Sequence, residues 1–338
     1  MGPQTEFTRA LGIEVPLICG AMYPCSNPEL VAAVSEAGGI GIVQPLSLSY
    51  VHGYDFRAGL KYIRSLTQKP IGVNLIIEQS SQKYLARVRE WLEISLEEQV
   101  SFFVTALGKP GWVVERASPF GATVYHDVTS RNWAEKALDG GVDGFICVNN
   151  RAGGHAGNLS PRQLLDEIAP LGKPLVCAGG IGTPAEFAGA IASGYVAVQM
   201  GTRFIAAAEC TAHADYKAAI VQAGEQDIVL SEKIYGVPVS IINTPYIERV
   251  GTKAGPLARW LLRGHKTKHW MRTFYSLQSI WKLKRASMQG LSYKDIFQAG
   301  KSVAGIKSVQ PVAEIVAAYA AALPGSSGDG ASAPYRRD

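Results

Sequence analysis

The nine residues Asn149-Asn150-Arg151-Ala152-Gly153-Gly154-His155-Ala156-Gly157 set one imidazole among small neighbours. Such neighbours leave space for a ligand against His155. An imidazole titrates near neutral pH, so this residue in this setting suits a general acid or base. Two glycine-bearing stretches further on carry a different chemistry: Ala178-Gly179-Gly180-Ile181-Gly182-Thr183 and Met200-Gly201-Thr202-Arg203. Glycine lets backbone N–H groups converge on an anion, and a helix opening at Thr183 would add its dipole. Two such stretches point to phosphate. Asn74 offers an amide that both donates and accepts, the mixture that a flavin's pyrimidine edge requires. Taken singly, a Gly-Gly pair is also a tight turn, Asn74 a strand-end turn residue and a lone histidine a structural side chain. His126 and Asp127 are adjacent, and adjacent strand residues point to opposite faces, so the pair reads as structural rather than as a charge-paired dyad.

The elements that would position these residues alternate along the first two thirds of the chain. Short apolar, β-branched runs occupy 16–22, 40–44, 71–77, 101–107, 122–128, 144–149, 174–179 and 197–202. Helical periodicity fills 28–37, 56–66, 82–98, 113–117, 130–138, 160–168, 184–193 and 212–223. Asn27, Ser160 and Thr183 stand where helices need caps. Strands apolar on both faces and joined by crossover helices imply a parallel sheet. Eight β-α units in about 225 residues suit a closed (β/α)8 TIM barrel, an α/β fold, with a doubly wound sheet as the alternative. In a barrel, ligands bind at the C-terminal ends of the strands. That is where Asn74, His155, Gly179-Gly180 and Gly201-Thr202 fall.

Beyond the barrel, 1–225, the pattern changes to a smaller, mainly helical accessory region, 226–323. Its first part, 227–242, is β-like. Residues 256–288 read as one or two helices with Trp270, Phe274, Leu277 and Trp281 on one face. A last alanine-rich helix, 311–323, is expected to pack back on the barrel, and a flexible Gly/Ser/Ala tail follows at 324–338.

The chain has 338 residues, 47% of them hydrophobic, which excludes a wholly disordered protein. Five cysteines without a CxxC pair suggest neither a disulfide framework nor a zinc site. No apolar run is long enough to span a bilayer, and 1–10 lacks a signal-peptide core, so a cytoplasmic protein is expected. The formal net charge of +5 is uneven: 249–285 holds ten Lys/Arg and no acidic residue, leaving 23 basic against 28 acidic residues elsewhere. Such a stretch with interleaved tryptophans also occurs in surfaces that bind nucleic acid or anionic lipid, but a basic face opposite an apolar stripe is more often the solvated side of a packed helix. Neither nucleic acid nor membrane is expected as a partner.

Four segments resemble the nitronate monooxygenase (2-nitropropane dioxygenase) family: PLICGAM with AAVSEAGGIGIV, IGVNL, AGGHAG, and AGGIGTPAEFAGAIASGYVAVQMGTRF. The family also includes flavin-type enoyl-ACP reductases and NAD(P)H:quinone reductases. The resemblance implies FMN, with its phosphate at Gly179, Gly180, Gly201 and Thr202 and its ring near Ala21, Met22, Asn74 and Gln199. Gly153, Gly154 and Ala178 complete the implied cofactor contacts, and His155 is implied as the catalytic base. The implied reaction oxidises an alkyl nitronate with O2 to a carbonyl compound and nitrite. The alternative on the same scaffold is an NAD(P)H-dependent reductase of enoyl thioesters or quinones. A sugar-phosphate isomerase or aldolase shares the phosphate site, but no lysine stands at a strand end to form a Schiff base. Two departures from the family stand out: Asn149-Asn150-Arg151 precede AGGH where an acidic residue or glutamine is frequent, and Asp127 ends strand five where one branch has a lysine. Expected partners are the small-molecule substrate, O2, NAD(P)H in the reductase alternative, and a second copy of the chain as a homodimer.

Overall fold

A computed structural model describes residues 5–78, 81–232, 238–253 and 296–324. Eight strands, β1 (Leu17–Cys19), β2 (Ile40–Val43), β3 (Ile71–Ile76), β4 (Phe102–Ala106), β5 (Thr123–Val128), β6 (Gly144–Val148), β7 (Leu175–Ala178) and β8 (Ala197–Met200), pair in parallel in chain order. β1 closes the ring on β8, with Ile18 opposite Gln199. The fold is therefore the (β/α)8 barrel, not the doubly wound sheet. Helices α2 (Pro28–Glu36), α3 (Phe56–Leu66), α4 (Gln82–Glu97), α5 (Gly111–Ala117), α6 (Arg131–Leu138), α7 (Pro161–Ile168) and α8 (Pro184–Ala192) connect successive strands. Ser160 and Thr183 cap α7 and α8 through reciprocal bonds with Gln163 and Glu186.

Strand alternation divides the side chains into two layers. Ile18, Ile42, Phe102, Val104, Tyr125, Ile146 and Ala178 face inward and form the barrel interior. Val73, Phe103, Cys147 and Cys177 face the helices. The bottom of the interior is stoppered by α1 (Glu6–Leu11), an element that sequence periodicity cannot show because it is under two turns long. Thr5 caps its start, and Gly12 ends it in the left-handed region at φ +67°. Its Phe7 is 1% exposed and meets Phe102 and Tyr125 edge-on, at 5.8 and 5.7 Å.

After β8 come α9 (Thr202–Ile205) and α10 (Ala214–Gln222), then an antiparallel pair β9 (Ile228–Ser231) and β10 (Val239–Ile242), α11 (Pro245–Val250) and the closing helix α12 (Val312–Ala321). α12 packs against α2 and α8, with Tyr319 edge-on to Phe187 at 5.5 Å. The helices expected within 256–288, the stripe at Trp270, Phe274, Leu277 and Trp281, and nearly all of the tail lie outside the described residues. Among the described residues no helix is long and apolar enough to cross a membrane, and no cluster of His, Cys, Asp or Glu is placed to hold a metal ion.

The stopper yields a stability prediction. Phe7→Ala should cost about 3–5 kcal/mol, as for other buried aromatic truncations, read from the urea midpoint. A loss below about 1 kcal/mol would mean that the barrel floor does not depend on α1.

Candidate functional site

The strands' C-terminal ends form one rim, and buried Asn149 ties its β6 and β7 sides together. Its Nδ2 donates to the Gly179 carbonyl at 3.0 Å, and its Oδ1 accepts from the Arg151 N–H at 2.8 Å. The loop after β6 therefore lies on the loop after β7. A Cβ on Gly179 (φ +115°) would sit 2.6 Å from the Ala152 nitrogen, and one on Gly180 (φ +81°) 2.5 Å from Arg151 Nε. Both positions need glycine for backbone conformation and for close approach.

This contact leaves a row of donors open. The N–H groups of Gly180, Ile181 and Thr202 are on buried residues, and none has a protein acceptor among the described residues; nor does that of half-buried Gly201. Buried N–H groups are almost always paired, and each one left open costs about 1–3 kcal/mol. Open donors on adjacent strand ends make an anion cradle. The helix dipole expected to assist it is engaged elsewhere. Glu186 Oε2 accepts from the N–H groups of Gly182 and Thr183, at 2.8 and 2.9 Å, so a carboxylate already sits on the first turn of α8. The cradle is built from loop donors instead.

A segment that carries no recognisable motif completes the rim. The Gly300 N–H donates to Thr202 Oγ1 at 3.0 Å, and the Lys301 N–H donates to the Arg151 carbonyl at 2.9 Å. A Cβ on Gly300 would lie 2.6 Å from the Gly153 nitrogen. From the other side, Ser240 of β10 exchanges both backbone hydrogen bonds with Gly154. The His155 loop is thus held along its length by 298–301 and β10. Arg151 adds a bidentate ion pair to Glu225 at 2.9 and 3.0 Å, joined by Lys301 at 3.4 Å. Arg151, and secondarily Lys301, hold the Glu225 carboxyl below its ordinary pKa. His155 reaches solvent at the rim, while the protein around it strips part of its hydration and lowers its pKa. Its ring is therefore neutral at pH 7, as a base must be.

On the β1 side, a Cβ on Gly20 would lie 2.9 Å from Gln199 Cγ, and one on Gly201 would lie 3.3 Å from Met22 Sδ. Ser26 Oγ accepts from the Met22 N–H, and Ser47 Oγ donates to the Met22 carbonyl. Ala21 packs against the barrel interior. Ala21, Met22, Ala178, Gln199, Gly201, Thr202, Gly179, Gly180, Gly153 and Gly154 thus come together around β6–β7–β8–β1. Asn74 stands apart on β3, facing inward, its Nδ2 donating to the Val104 carbonyl at 3.2 Å. Gln199 Oε1 is buried without a hydrogen-bond partner.

The His126-Asp127 pair divides as the strand geometry requires, but only one half is structural. His126 faces outward, with Nδ1 2.8 Å from Thr105 Oγ1. The same hydroxyl also lies 3.1 Å from the Tyr125 carbonyl, so it joins the imidazole to the strand backbone. Burial lowers the His126 pKa to about 4 and keeps the ring neutral. Asp127 faces inward with Oδ1 buried and unpartnered, and desolvation raises its pKa to about 7. Strand parity, read together with the inward position of Tyr125, was the available signal for it.

An eight-stranded barrel whose rim carries open N–H donors and a neutral imidazole has groups that can hold an anion and accept a proton. The nitronate monooxygenase family profile matches residues 4–320, and the chain belongs to this family of oxidoreductases. It is 31% identical over 258 residues to a nitronate monooxygenase of Pseudomonas aeruginosa, covering 64% of this chain and 73% of that one. It is 27% identical over 259 residues to the (3aS,4S,5R,7aS)-5-hydroxy-7a-methyl-1-oxo-octahydro-1H-indene-4-carboxyl-CoA dehydrogenase of Rhodococcus jostii, covering 75% and 71%. The FabK structure from Thermotoga maritima superposes with a TM-score of 0.77 at 28% identity, over 95% of this chain and 96% of that one.

Thr202→Val should leave the Gly300 N–H without its acceptor and cost about 1–3 kcal/mol in urea unfolding. An unchanged midpoint would show that 298–301 is not held by this bond. Gly179→Ala, strained in φ and in contact, should lose more than about 1 kcal/mol by the same measurement; no loss would mean that the two loops are not in contact.

Proposed function

We propose that the chain is an FMN-dependent oxidoreductase that oxidises alkyl nitronates with O2 to a carbonyl compound and nitrite. The observation that carries the reading is the set of N–H donors without a protein acceptor on the buried residues Gly180, Ile181 and Thr202, which a phosphate monoester would satisfy, on the same rim as an imidazole held neutral. Gly179, Gly180, Gly201 and Thr202 would hold the phosphate. Ala21, Met22, Ala178, Gln199, Asn74, Gly153 and Gly154 would line the ring, and the unpartnered Gln199 Oε1 suits an N–H donor on a planar heterocycle. When bound, FMN supplies an acceptor for substrate electrons and a route from there to O2.

The remaining chemistry belongs to the chain. His155, neutral at pH 7, takes the α-proton when a neutral nitroalkane rather than its nitronate is presented. The 298–301 segment and β10 fix the backbone of its loop, so less ordering is left to the side chain during turnover. A nitronate arrives without that proton and makes no such demand. His155→Asn should therefore retain FMN and cut turnover of nitroalkanes by about 10²–10⁴. In the wild type, nitroalkane kcat/KM should fall as pH drops through a value below the ordinary imidazole pKa. A profile flat down to pH 5 would remove His155 as the base.

A second reading is supported by the names of other relatives. Matches over three quarters of the chain carry the name of a CoA dehydrogenase, and FabK superposes over nearly the whole fold. The ten basic residues of 249–285 suit the phosphates of a nucleotide or of an acyl carrier. In that reading NAD(P)H reduces the bound flavin and an acyl thioester is the substrate. Anaerobic mixing separates the two. Rapid flavin bleaching by NADH or NADPH favours the reductase, and aerobic turnover of propionate 3-nitronate without pyridine nucleotide favours the monooxygenase.

A further inference from the structure

We infer that Asp127 is a ligand-facing carboxyl whose charge sets the preference of the site between oxidised and reduced flavin. The inference rests on the FMN reading above. Along β5, Tyr125 joins the interior cluster, so Asp127, two residues on, shares its inward face at the C-terminal end. The neighbouring strands present no partner. Asp127 stands opposite Ile146 of β6, and the last inward residues of β4 and β6 are Ala106 and Val148, with Asn74 on β3 beyond them. Oδ1 is sealed from solvent with no hydrogen bond, and among the described residues neither carboxyl oxygen has one.

A carboxyl in such a place needs a reason. Asp127 as a whole is half-buried, but removing water from its Oδ1 without supplying a donor is costly and does not serve stability. Gln199 Oε1, three strands round the rim, is also buried and unpartnered. Two orphaned acceptors on inward-facing ends of strands in one barrel point to donors that a ligand at that end would supply.

The titratable groups near Asp127 are few. Cys147 of β6 interacts with it, and burial holds that thiol neutral. His126, next in the strand, is turned outward onto Thr105 and is neutral. His155, on the loop after β6, is also neutral at pH 7. No cation among the described residues therefore offsets the carboxylate, and desolvation alone raises its pKa to about 7. The sign follows. Below that value the carboxyl is neutral. Above it, an anion faces the ring and opposes the negative charge that two-electron reduction brings to the site, unless a proton is taken up on Asp127 at the same time.

The test is the midpoint potential of bound FMN at pH 6 and pH 8 in wild type, Asp127→Asn and His155→Asn, with the oxidised-FMN dissociation constant measured alongside. At pH 8 Asp127→Asn should favour reduced over oxidised FMN about tenfold more than wild type, a rise of ~30 mV for a two-electron couple. At pH 6 the two should agree. His155→Asn should keep the wild-type pH dependence. Equal potentials for wild type and Asp127→Asn at pH 8, with FMN bound to both, would overturn the inference. Should Asp127→Asn fail to fold, wild type alone decides. A potential that falls more steeply with pH above 7 than that of free FMN supports a proton taken up at Asp127, and a parallel fall overturns it. If wild type binds no FMN, the functional reading fails instead.

Discussion

The structure turns on one close approach, the backbone of Gly179-Gly180 against Ala152 and Arg151. No side chain larger than hydrogen fits at either glycine, and Asn149 locks the contact from within. With the two loops pressed together, the N–H groups of Gly180 and Ile181 have no protein acceptor among the described residues. The fold therefore leaves N–H groups at its rim without a protein acceptor, open to solvent or to an anion. The imidazole at 155 takes its place from the same contact, because its loop begins at the residues that the glycines touch.

Residues distant in sequence hold this arrangement still. The hydroxyl of Thr202, the carbonyl of Arg151 and the backbone of Gly154 all bond to groups between Ser240 and Lys301. Glu225 gathers Arg151 and Lys301 on one carboxylate. Each pair is partly exposed and worth little alone. Together with the backbone bonds they make the accessory region part of the rim wall. Arg151, which departs from the usual residue before AGGH, thus has a partner of its own in this chain.

Much of the barrel was legible because each strand is a short β-branched run bounded by glycine or a cap, a pattern with few other solutions. The rim residues were legible for the same reason, since strand ends select them before chemistry does. Three features were not. α1 is too short to show periodicity. The 298–301 segment acts through its backbone, which leaves no side-chain signature apart from Gly300. At α8 the dipole argument overlooked Glu186, although Thr183 and Glu186 have the spacing of a capping box and so announce an occupied N-terminus. Asp127 shows a subtler failure. Opposite-face parity correctly excluded a dyad, yet the same parity sends one of the two residues into the barrel.

The central claim is that the open donors at β7 and β8 hold a phosphate. The most direct measurement compares the affinities of the apoprotein for FMN and for riboflavin, which carries the same ring without the phosphate. The cradle predicts that FMN binds roughly a hundredfold tighter, about 2.7 kcal/mol. Equal affinities would contradict it.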